Sequence, residues 1–175
     1  MRDTTRIETT VRLAADGDQA AFAALVDEHH AAMARVAYVV AGDAEVAADA
    51  VQSAWEVAWR RLRTLRHPDR IRAWLVAIVA NEARQSLRRQ RRTTSTDPSV
   101  LEMPGPDDAA NSIDLVDLQD ALKSLKPDER SLLALRYVAG LDSTEIAAQL
   151  RMTPSGVRSR LARLLERLRM DLDHV

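Results

Sequence analysis

An all-α fold of two small helical domains joined by a flexible linker is what this sequence predicts. Three observations carry the prediction. Apolar residues recur three and four apart through most of the chain, the period of a helix with one buried face. The 46% apolar share rests on Ala, Leu and Val, with only five glycines and six aromatics. One Pro-, Ser- and Asp-rich stretch without periodicity separates two helical halves. At 175 residues there is room for one ordinary domain or two small ones.

Residues 1–17 are polar and ambiguous, turning helical near Thr10, and are assigned to an N-terminal tail. The first clear helix runs from about Asp18 to Ala41, with Phe22, Leu25, Val26, Met33, Val36 and Val40 on its buried face and Gly42 ending it. A second runs from Asp43 to about Leu65, with Val51, Trp55, Ala58 and Leu62 as its core stripe. His67-Pro68-Asp69 then breaks the helix, because proline disfavours helical geometry in the residue before it. A third helix covers Arg70 to Arg92, packed down by Ile71, Trp74, Leu75 and Ile78. These elements make up a domain over 18–92. All three tryptophans, Trp55, Trp59 and Trp74, fall inside it and read mainly as core, with base stacking as the minority reading.

Residues 93–112 form the linker, with three prolines and a glycine. Fully extended, such a stretch spans up to roughly 70 Å. The second domain, 113–175, opens on a helix capped by Ser112, with Asp114 and Asp117 near its positive end and Leu115, Leu118, Leu122 and Leu125 as its stripe. Pro127-Asp128 opens another helix that reaches Val138, and Gly140 terminates it. Two further helices then meet at a tight turn. Asp142 and Glu145 have capping-box spacing, and Ile146 and Leu150 give the first of the pair its apolar side. Thr153-Pro154 restarts the chain as cap and first helical residue. Val157, Leu161, Leu164, Leu168 and Leu172 follow as the second stripe, with Leu165 widening it.

The composition excludes several classes. There is no cysteine, so disulfides, zinc fingers and thiol catalysis are out. No apolar run spans a bilayer and no secretory leader core is present, so membrane insertion is not expected and the cytoplasm is the expected location. His29 and His30 are adjacent and point about 100° apart on a helix, so they share no metal face. His67 and His174 lack the neighbours of a triad or metal set, and no Gly-rich phosphate loop appears. No catalytic residues, metal or cofactor are expected, and the chain is not read as an enzyme.

A net charge of −1 conceals strong segregation. Residues 1–59 carry 4 basic and 10 acidic side chains, 60–92 carry 11 and 2, 93–142 carry 4 and 10, and 143–175 carry 6 and 4. Phosphate binding follows the local field, so the basic segment suits nucleic acid whatever the total. On the second helix Glu45, Asp49, Gln52 and Glu56 lie at offsets 0, 4, 7 and 11, one narrow polar line. That line is either a solvated face or a docking ridge for a basic partner. On the third helix Asn81, Arg84, Arg88 and Arg92 share a polar face, with Arg89 and Arg91 beside it. The preceding loop, bracketed by Arg66, Arg70 and Arg72, has the charge to admit an unstacked base. On the last helix Ser155, Gly156, Ser159, Ala162 and Arg163 oppose the leucine stripe, flanked by Arg158 and Arg160. Small residues there allow close approach, and serines and arginines can read bases or hold phosphates. This is the profile of a helix-turn-helix with its second helix in a major groove, against the plainer reading of a helical hairpin with solvated arginines.

At this point the residues carry a resemblance. AADAVQSAWEVAW followed by RAWLVAIVANEARQSLRRQRR resembles region 2 of bacterial RNA polymerase sigma factors of the extracytoplasmic-function (ECF) subfamily of the sigma-70 family. LKPDERSLLALRYVAGLDSTEIAAQLRMTPSGVRSRLARLLERL is similar to their region 4. The resemblance implies a promoter-specificity subunit whose partners are core RNA polymerase, promoter DNA and an anti-sigma factor. It implies that Glu45, Asp49, Gln52 and Glu56 dock on the β′ clamp helices, with the β subunit also engaged. Arg66, Arg70, Trp74, Asn81, Arg84, Arg88 and Arg89 would take the minus-10 element, the loop Leu65–Arg70 holding a flipped base. Ser155, Arg158, Ser159, Arg160 and Arg163 would read the minus-35 element. The linker would thread toward the polymerase active-centre cleft.

The chain departs from the family pattern in places. Ser53 replaces an acidic residue, and Val76, Ala77 and Ala80 replace an aromatic and two basic residues. Arg84 stands where the family is usually apolar and could restore a phosphate contact. Arg151 occupies a turn position that commonly holds glycine, which implies a turn without strictly glycine-only geometry. The competing reading is a helix-turn-helix repressor or activator that binds duplex DNA without being a polymerase subunit.

Overall fold

The computed structural model describes residues 2–93, 122 and 124–172. The linker beyond Thr93 therefore lies outside the described residues, as does the helix expected from Ser112 with Leu115 and Leu118. Every regular element among the described residues is helical. In order they are α1 (Arg2–Ala15), α2 (Gln19–Ala41), α3 (Ala44–Arg61), two tight turns at Leu62–Thr64 and Pro68–Arg70, α4 (Ile71–Thr93), α5 (Pro127–Leu133), a widened turn Ala134–Val138, α6 (Ser143–Leu150) and α7 (Pro154–Leu172). None of these helices is long and apolar enough to cross a membrane.

The caps show why the elements begin and end where they do. The Asp18 carboxylate accepts from the Ala21 N–H at 2.9 Å, and that of Asp43 from the Val46 N–H at 2.8 Å. Gly42 closes α2 at φ 71, its N–H donating to the Tyr38 carbonyl. At α6 the capping box is complete: Asp142 accepts from the Thr144 and Glu145 amides, and Glu145 accepts from the Asp142 amide at 2.8 Å. Thr153 Oγ1 accepts from the Gly156 N–H at 3.1 Å and starts α7 at Pro154. The helices open near the residues expected, and the differences lie at two ends. The second helix tightens after Arg61 rather than running to Leu65. The helix expected to Val138 widens after Leu133, where the Ala139 amide reaches back five residues to the Ala134 carbonyl. That extra residue per turn brings Ala139 and Leu141 into the core while Arg136 and Tyr137 stay outside.

The N-terminal helix corrects the reading of residues 1–17 as a tail. Ile7, Val11 and Ala14 form one stripe on α1, and Val11 and Ala14 are buried. The threonines that make this stretch look ambiguous are harmless to the helix. Thr9 and Thr10 donate their hydroxyls to the carbonyls four residues earlier, at 2.9 and 3.0 Å, so they do not compete for the backbone elsewhere.

One continuous core runs through both halves. In the first, Leu25, Met33, Val36 and Val40 of α2 meet Ala50, Val51, Ala54 and Ala58 of α3 and Leu75, Val76 and Val79 of α4. In the second, Leu125, Leu132, Leu133, Leu135 and Ile146 meet Val157, Leu161, Leu164 and Leu168. The halves touch directly: α2 and α4 pack against α5 and the widened turn, and α4 against α6. Full burial of each large aliphatic side chain contributes about 1.5–3 kcal/mol. Two expected core residues are outside: Leu165 and Trp59 are each 41% exposed. Trp59 keeps one edge against Phe22, with ring centroids 4.8 Å apart, and Trp55 and Trp74 are half-buried. The widening of the α7 stripe fails because Leu164 and Leu168 already fill the seam.

His29 is buried on α2, its Nε2 without a partner among the described residues. Burial lowers its pKa from the ordinary 6.5, opposed by Glu28 and reinforced by Arg72. Below pH about 6.5 the unfolded chain binds a proton that the folded chain resists, so stability falls with acidity until the folded pKa is passed. His29→Leu should remove this dependence. Urea midpoints of the two proteins are expected to diverge between pH 7.5 and 5, and parallel curves would exclude His29 as the cause. A second expectation concerns Arg151, which adopts the left-handed conformation at φ 54 that glycine favours. The geometry accepts a side chain but at a cost of about 1–2 kcal/mol, partly offset by the extra freedom glycine brings to the unfolded state. Arg151→Gly should therefore raise stability by roughly 0.5 kcal/mol, whereas Arg151→Val should lower it by about 1 kcal/mol or more, measured by denaturant unfolding.

Candidate nucleic-acid and partner interfaces

Three surfaces collect the candidate residues. On α3, the core stripe Val51, Ala54 and Ala58 turns the polar line outward, so Glu45, Asp49, Gln52 and Glu56 are all exposed. The line borders a cleft whose far wall is Ser86, Arg89 and Gln90 of α4. On its other flank lies an apolar groove between α2 and α3, with Val26, Ala34, Tyr38, Val51 and Trp55 in it and His30, Gln52 and Glu56 at the rim. The Trp55 indole N–H donates to His30 Nδ1 at 3.4 Å. Sequence periodicity alone missed this groove. Its lining comes from two helices, and the small residues Ala34, Ala44, Ala47 and Ala48 that open it carry no pattern of their own.

The second surface is the loop between α3 and α4 with the outer side of α4. Leu62 and Ile71 are buried and pin the loop ends, leaving Arg66, His67 and Arg70 exposed. Trp74 is half-buried against the core below them. Further along α4, Asn81 and Arg88 are exposed, while Arg84 is half-buried and held from two sides. Its guanidinium donates to Asp128 at 2.9 Å and to the Asn81 amide oxygen at 3.1 Å. Arg88 approaches the same Asp128 oxygen at 3.8 Å. Arg89 does not share this face; it turns toward Glu82, at 4.0 Å, and the acidic cleft of α3. A one-residue step along a helix rotates a side chain about 100°, which separates Arg89 from Arg88. The seven loop and α4 residues expected together, five arginines with Trp74 and Asn81, therefore divide between two faces.

The third surface is α7. Ser155, Arg158, Ser159, Arg160 and Arg163 are all exposed on the side away from Val157, Leu161 and Leu164. Arg163 Nε donates to the Ser159 carbonyl at 3.3 Å, and Arg160 Nη1 lies 3.9 Å from Met152 Sδ, so both guanidinia have a defined direction. They face a cleft of about 720 Å³ that Arg84, Lys126, Arg151 and Arg167 also line. Lys126, Arg151 and Arg167 were not among the sequence candidates, since only the folded hairpin gathers them. Two carboxylates temper the cleft. Glu129 pairs with Arg167 at 2.8 Å; although desolvation opposes it, that hydrogen bond and the Lys126 amide hold its carboxyl below the usual range. Asp128 holds Arg84. The cleft thus joins side chains expected to touch DNA from both halves of the molecule. Among the described residues, no group of three or more His, Asp or Glu side chains is placed to hold a metal ion.

Comparison with known proteins agrees with the division into halves. The family profile described as Sigma-70 region 2 matches residues 25–93, and that described as Sigma-70, region 4 matches residues 115–168. The ECF RNA polymerase sigma factor SigL of Mycobacterium tuberculosis is 32% identical over 167 residues, covering 93% of this chain and 94% of SigL. The RNA polymerase sigma factor CarQ of Myxococcus xanthus is 31% identical, covering 88% and 90%. The solved structure of CnrH in complex with the cytosolic domain of CnrY superposes with a TM-score of 0.72 at 27% identity, covering 96% of this chain and 97% of CnrH. The sigma factor RpoE bound to the anti-sigma factor NepR from Bartonella quintana shares the fold, with a TM-score of 0.72 at 24% identity. The free-standing repressor reading gives way to these matches, because they span both halves in order rather than the helix-turn-helix alone. The chain belongs to the extracytoplasmic-function sigma factors, the transcription initiation factors that direct RNA polymerase to promoters.

Proposed function

We propose that this sigma factor divides its work among the three surfaces. The α3 ridge of Glu45, Asp49, Gln52 and Glu56, with the apolar groove beside it, docks the clamp helices of the polymerase β′ subunit. The loop with Arg66 and Arg70, together with Trp74, Asn81, Arg84 and Arg88, takes the minus-10 element as a melted strand. Ser155, Arg158, Ser159, Arg160 and Arg163 read the minus-35 element from the major groove, the three arginines as candidates for guanine contacts. Arg89 serves the docking cleft or the upstream phosphates. The observation that carries this reading is the separation of charge onto different helices: an exposed acidic line on α3 backed by core, and exposed arginines on the loop, α4 and α7. A basic, amphipathic partner helix suits the first; nucleic acid suits the others.

The domain boundaries follow the same reading: 18–92 for polymerase docking and promoter opening, 93–112 as the tether, and 113–175 for upstream recognition. Residues 1–17, expected as a tail, join the first domain through α1. The chain works in the cytoplasm, without cofactor or catalysis of its own, and an anti-sigma factor restrains it. NepR is such a partner of RpoE, and CnrH is likewise solved in complex with the cytosolic domain of CnrY. The apolar groove and acidic line on α3 are the natural surface for one here.

The compact arrangement adds a constraint. Asp128 occupies Arg84 and Arg88, two side chains assigned to DNA, and Arg160 and Arg163 face the same cleft. A guanidinium already paired with a carboxylate has fewer free donors and a weaker field for a phosphate, so parting of the halves would favour promoter binding.

Two experiments test these assignments. Transcription from a promoter library should require both core polymerase and this chain, and Asp49→Ala with Gln52→Ala should weaken polymerase binding about tenfold or more while leaving duplex binding by the second domain intact. Unchanged polymerase binding would remove the ridge from the docking surface. Asp128→Ala should strengthen binding of the free chain to single-stranded minus-10 DNA by about threefold, in keeping with the modest strength of exposed ion pairs. An unchanged affinity would mean that Asp128 does not compete with DNA.

A further inference from the structure

We infer that the N-terminal helix and Arg63 are part of the promoter-opening apparatus, with Arg63 as a positioning residue that holds the α3–α4 loop in the shape that receives the flipped base. The inference rests on the assignment of that loop to the minus-10 element.

The observation begins at the end of α1. A helix leaves its last carbonyls without partners inside the helix. Here the chain's own amides take three of them: Asp16 donates to Arg12, Gly17 to Ala14 and Asp18 to Leu13, around a left-handed Gly17 at φ 101. The carbonyl of Ala15 is taken from elsewhere. Arg63 Nε donates to it at 2.7 Å, across a separation of 48 residues. The pairing is charge-assisted and lies where the helix terminus carries partial negative charge, so it is favoured twice over.

Arg63 sits in the first tight turn of the loop, between the buried Leu62 and the exposed Arg66. The loop has anchors of its own at each end. Thr64 Oγ1 donates to the Arg61 carbonyl at 2.7 Å and the Leu65 amide to Leu62 at 3.0 Å; at the far end the Arg70 amide donates to His67 at 2.9 Å and Ile71 enters the core. α1 supplies the lateral support, packing against both turns as well as against α2. It is itself seated by Val11 and Ala14, 2% and 3% exposed. A loop that must close around an extruded base pays for ordering at the moment of capture unless it is ordered beforehand. α1 and Arg63 therefore shift that cost to folding. They should influence melting and base choice, and leave polymerase docking on α3 and minus-35 reading on α7 alone.

The test uses the full-length chain assembled with core polymerase on a linear promoter, with the melted strand followed by 2-aminopurine fluorescence. Three variants are compared: Arg63→Ala, Arg63→Lys and Val11→Gln. The last unseats α1 without changing a loop residue or adding charge. Arg63→Ala and Val11→Gln are each expected to slow opening about fivefold to tenfold, the scale of one solvent-exposed hydrogen bond. Their double variant should be no slower than either alone, because both break one support. Polymerase affinity and minus-35 duplex binding should stay within about twofold of wild type for all of them. Arg63→Lys, which keeps a donor of the same charge, should recover part of the loss. Should Val11→Gln open promoters as fast as wild type while Arg63→Ala does not and Arg63→Lys recovers fully, Arg63 is a phosphate contact and the inference is overturned. Equal loss of opening, polymerase affinity and upstream binding would make α1 a general stabiliser and overturn it as well. If the wild-type chain opens no promoter with any template, the function itself fails, a result distinct from both.

Discussion

The close approach of α2, α3 and α4 is the constraint on which the rest of the molecule depends. The seam between them is made of small and β-branched side chains: Ala37, Ala50, Ala54, Ala58, Val76, Val79, Ala80 and Ala83, all fully or almost fully buried. Such residues let helix backbones approach closely and leave little tolerance in the angle between them. The polar faces are consequently fixed outward and held apart. Ridge residues Asp49 and Gln52 stand on α3 one or two positions from Ala50 and Val51, and Arg84 follows Ala83 on α4. A larger side chain at Ala54 or Ala83 would not merely overfill the core; it would turn one functional face relative to another. The departures of this chain from the family pattern acquire a structural sense here. Val76 and Ala80 are 1% and 2% exposed, so apolar residues at these positions are part of the seam rather than lost nucleic-acid contacts.

Most of the fold was legible because its signals are local. Caps at Asp18, Asp43, Asp142 and Thr153 depend on side chains within three residues of the amides they satisfy, and the stripes of α2, α4 and α7 depend on period alone. The misreadings share the opposite property. α1 was hidden by threonines whose hydroxyls fold back on their own helix, although Ile7, Val11 and Ala14 already had helical spacing. Leu165 was placed inside by hydrophobicity, yet α7 has only one neighbour-facing side, and Leu164 and Leu168 occupy it. At the candidate interfaces, single-helix patterns such as the α3 line came through, whereas the α2–α3 groove and the cation-lined cleft needed two or more helices brought together. The position of Arg84 illustrates the limit. Its helix face could be read from the sequence; its partner Asp128, 44 residues away, could not.

That pair also bears on how the two halves are held. Arg84 is 21% and Asp128 59% exposed at the side chain, so the bond is screened by water and adds at most about 1 kcal/mol. Closure then rests mainly on apolar contact of α2 and α4 with α5 and the widened turn, where Leu132, Leu133 and Leu135 are buried. Arg130 strengthens the join by steric fit: it is 7% exposed, and its guanidinium lies so close to Gly42 that a Cβ there would come within 2.7 Å of Nη1. Gly42 is therefore required twice, once for its left-handed backbone and once for the space it leaves to the other half.

A junction built this way divides its labour between specificity and strength. Apolar contact is indifferent to salt and direction, so it supplies closure without choosing what ends it. The arginines facing Asp128 are the charged part, and in the proposed function the part that would compete with phosphate. Because both the ion pair and DNA binding weaken as ionic strength rises, salt alone does not shift the balance cleanly from closed to open. What shifts it is a surface that binds one arrangement better than the other. A partner that engages the two halves at a distance from each other, as proposed for core polymerase, would favour a parted form. An inhibitor that bridges the halves favours the closed one. The contacts around Asp128 and Gly42 would then set how much binding free energy each partner must supply, and Asp128, Gly42 and Arg130 themselves have no assigned contact with polymerase or base.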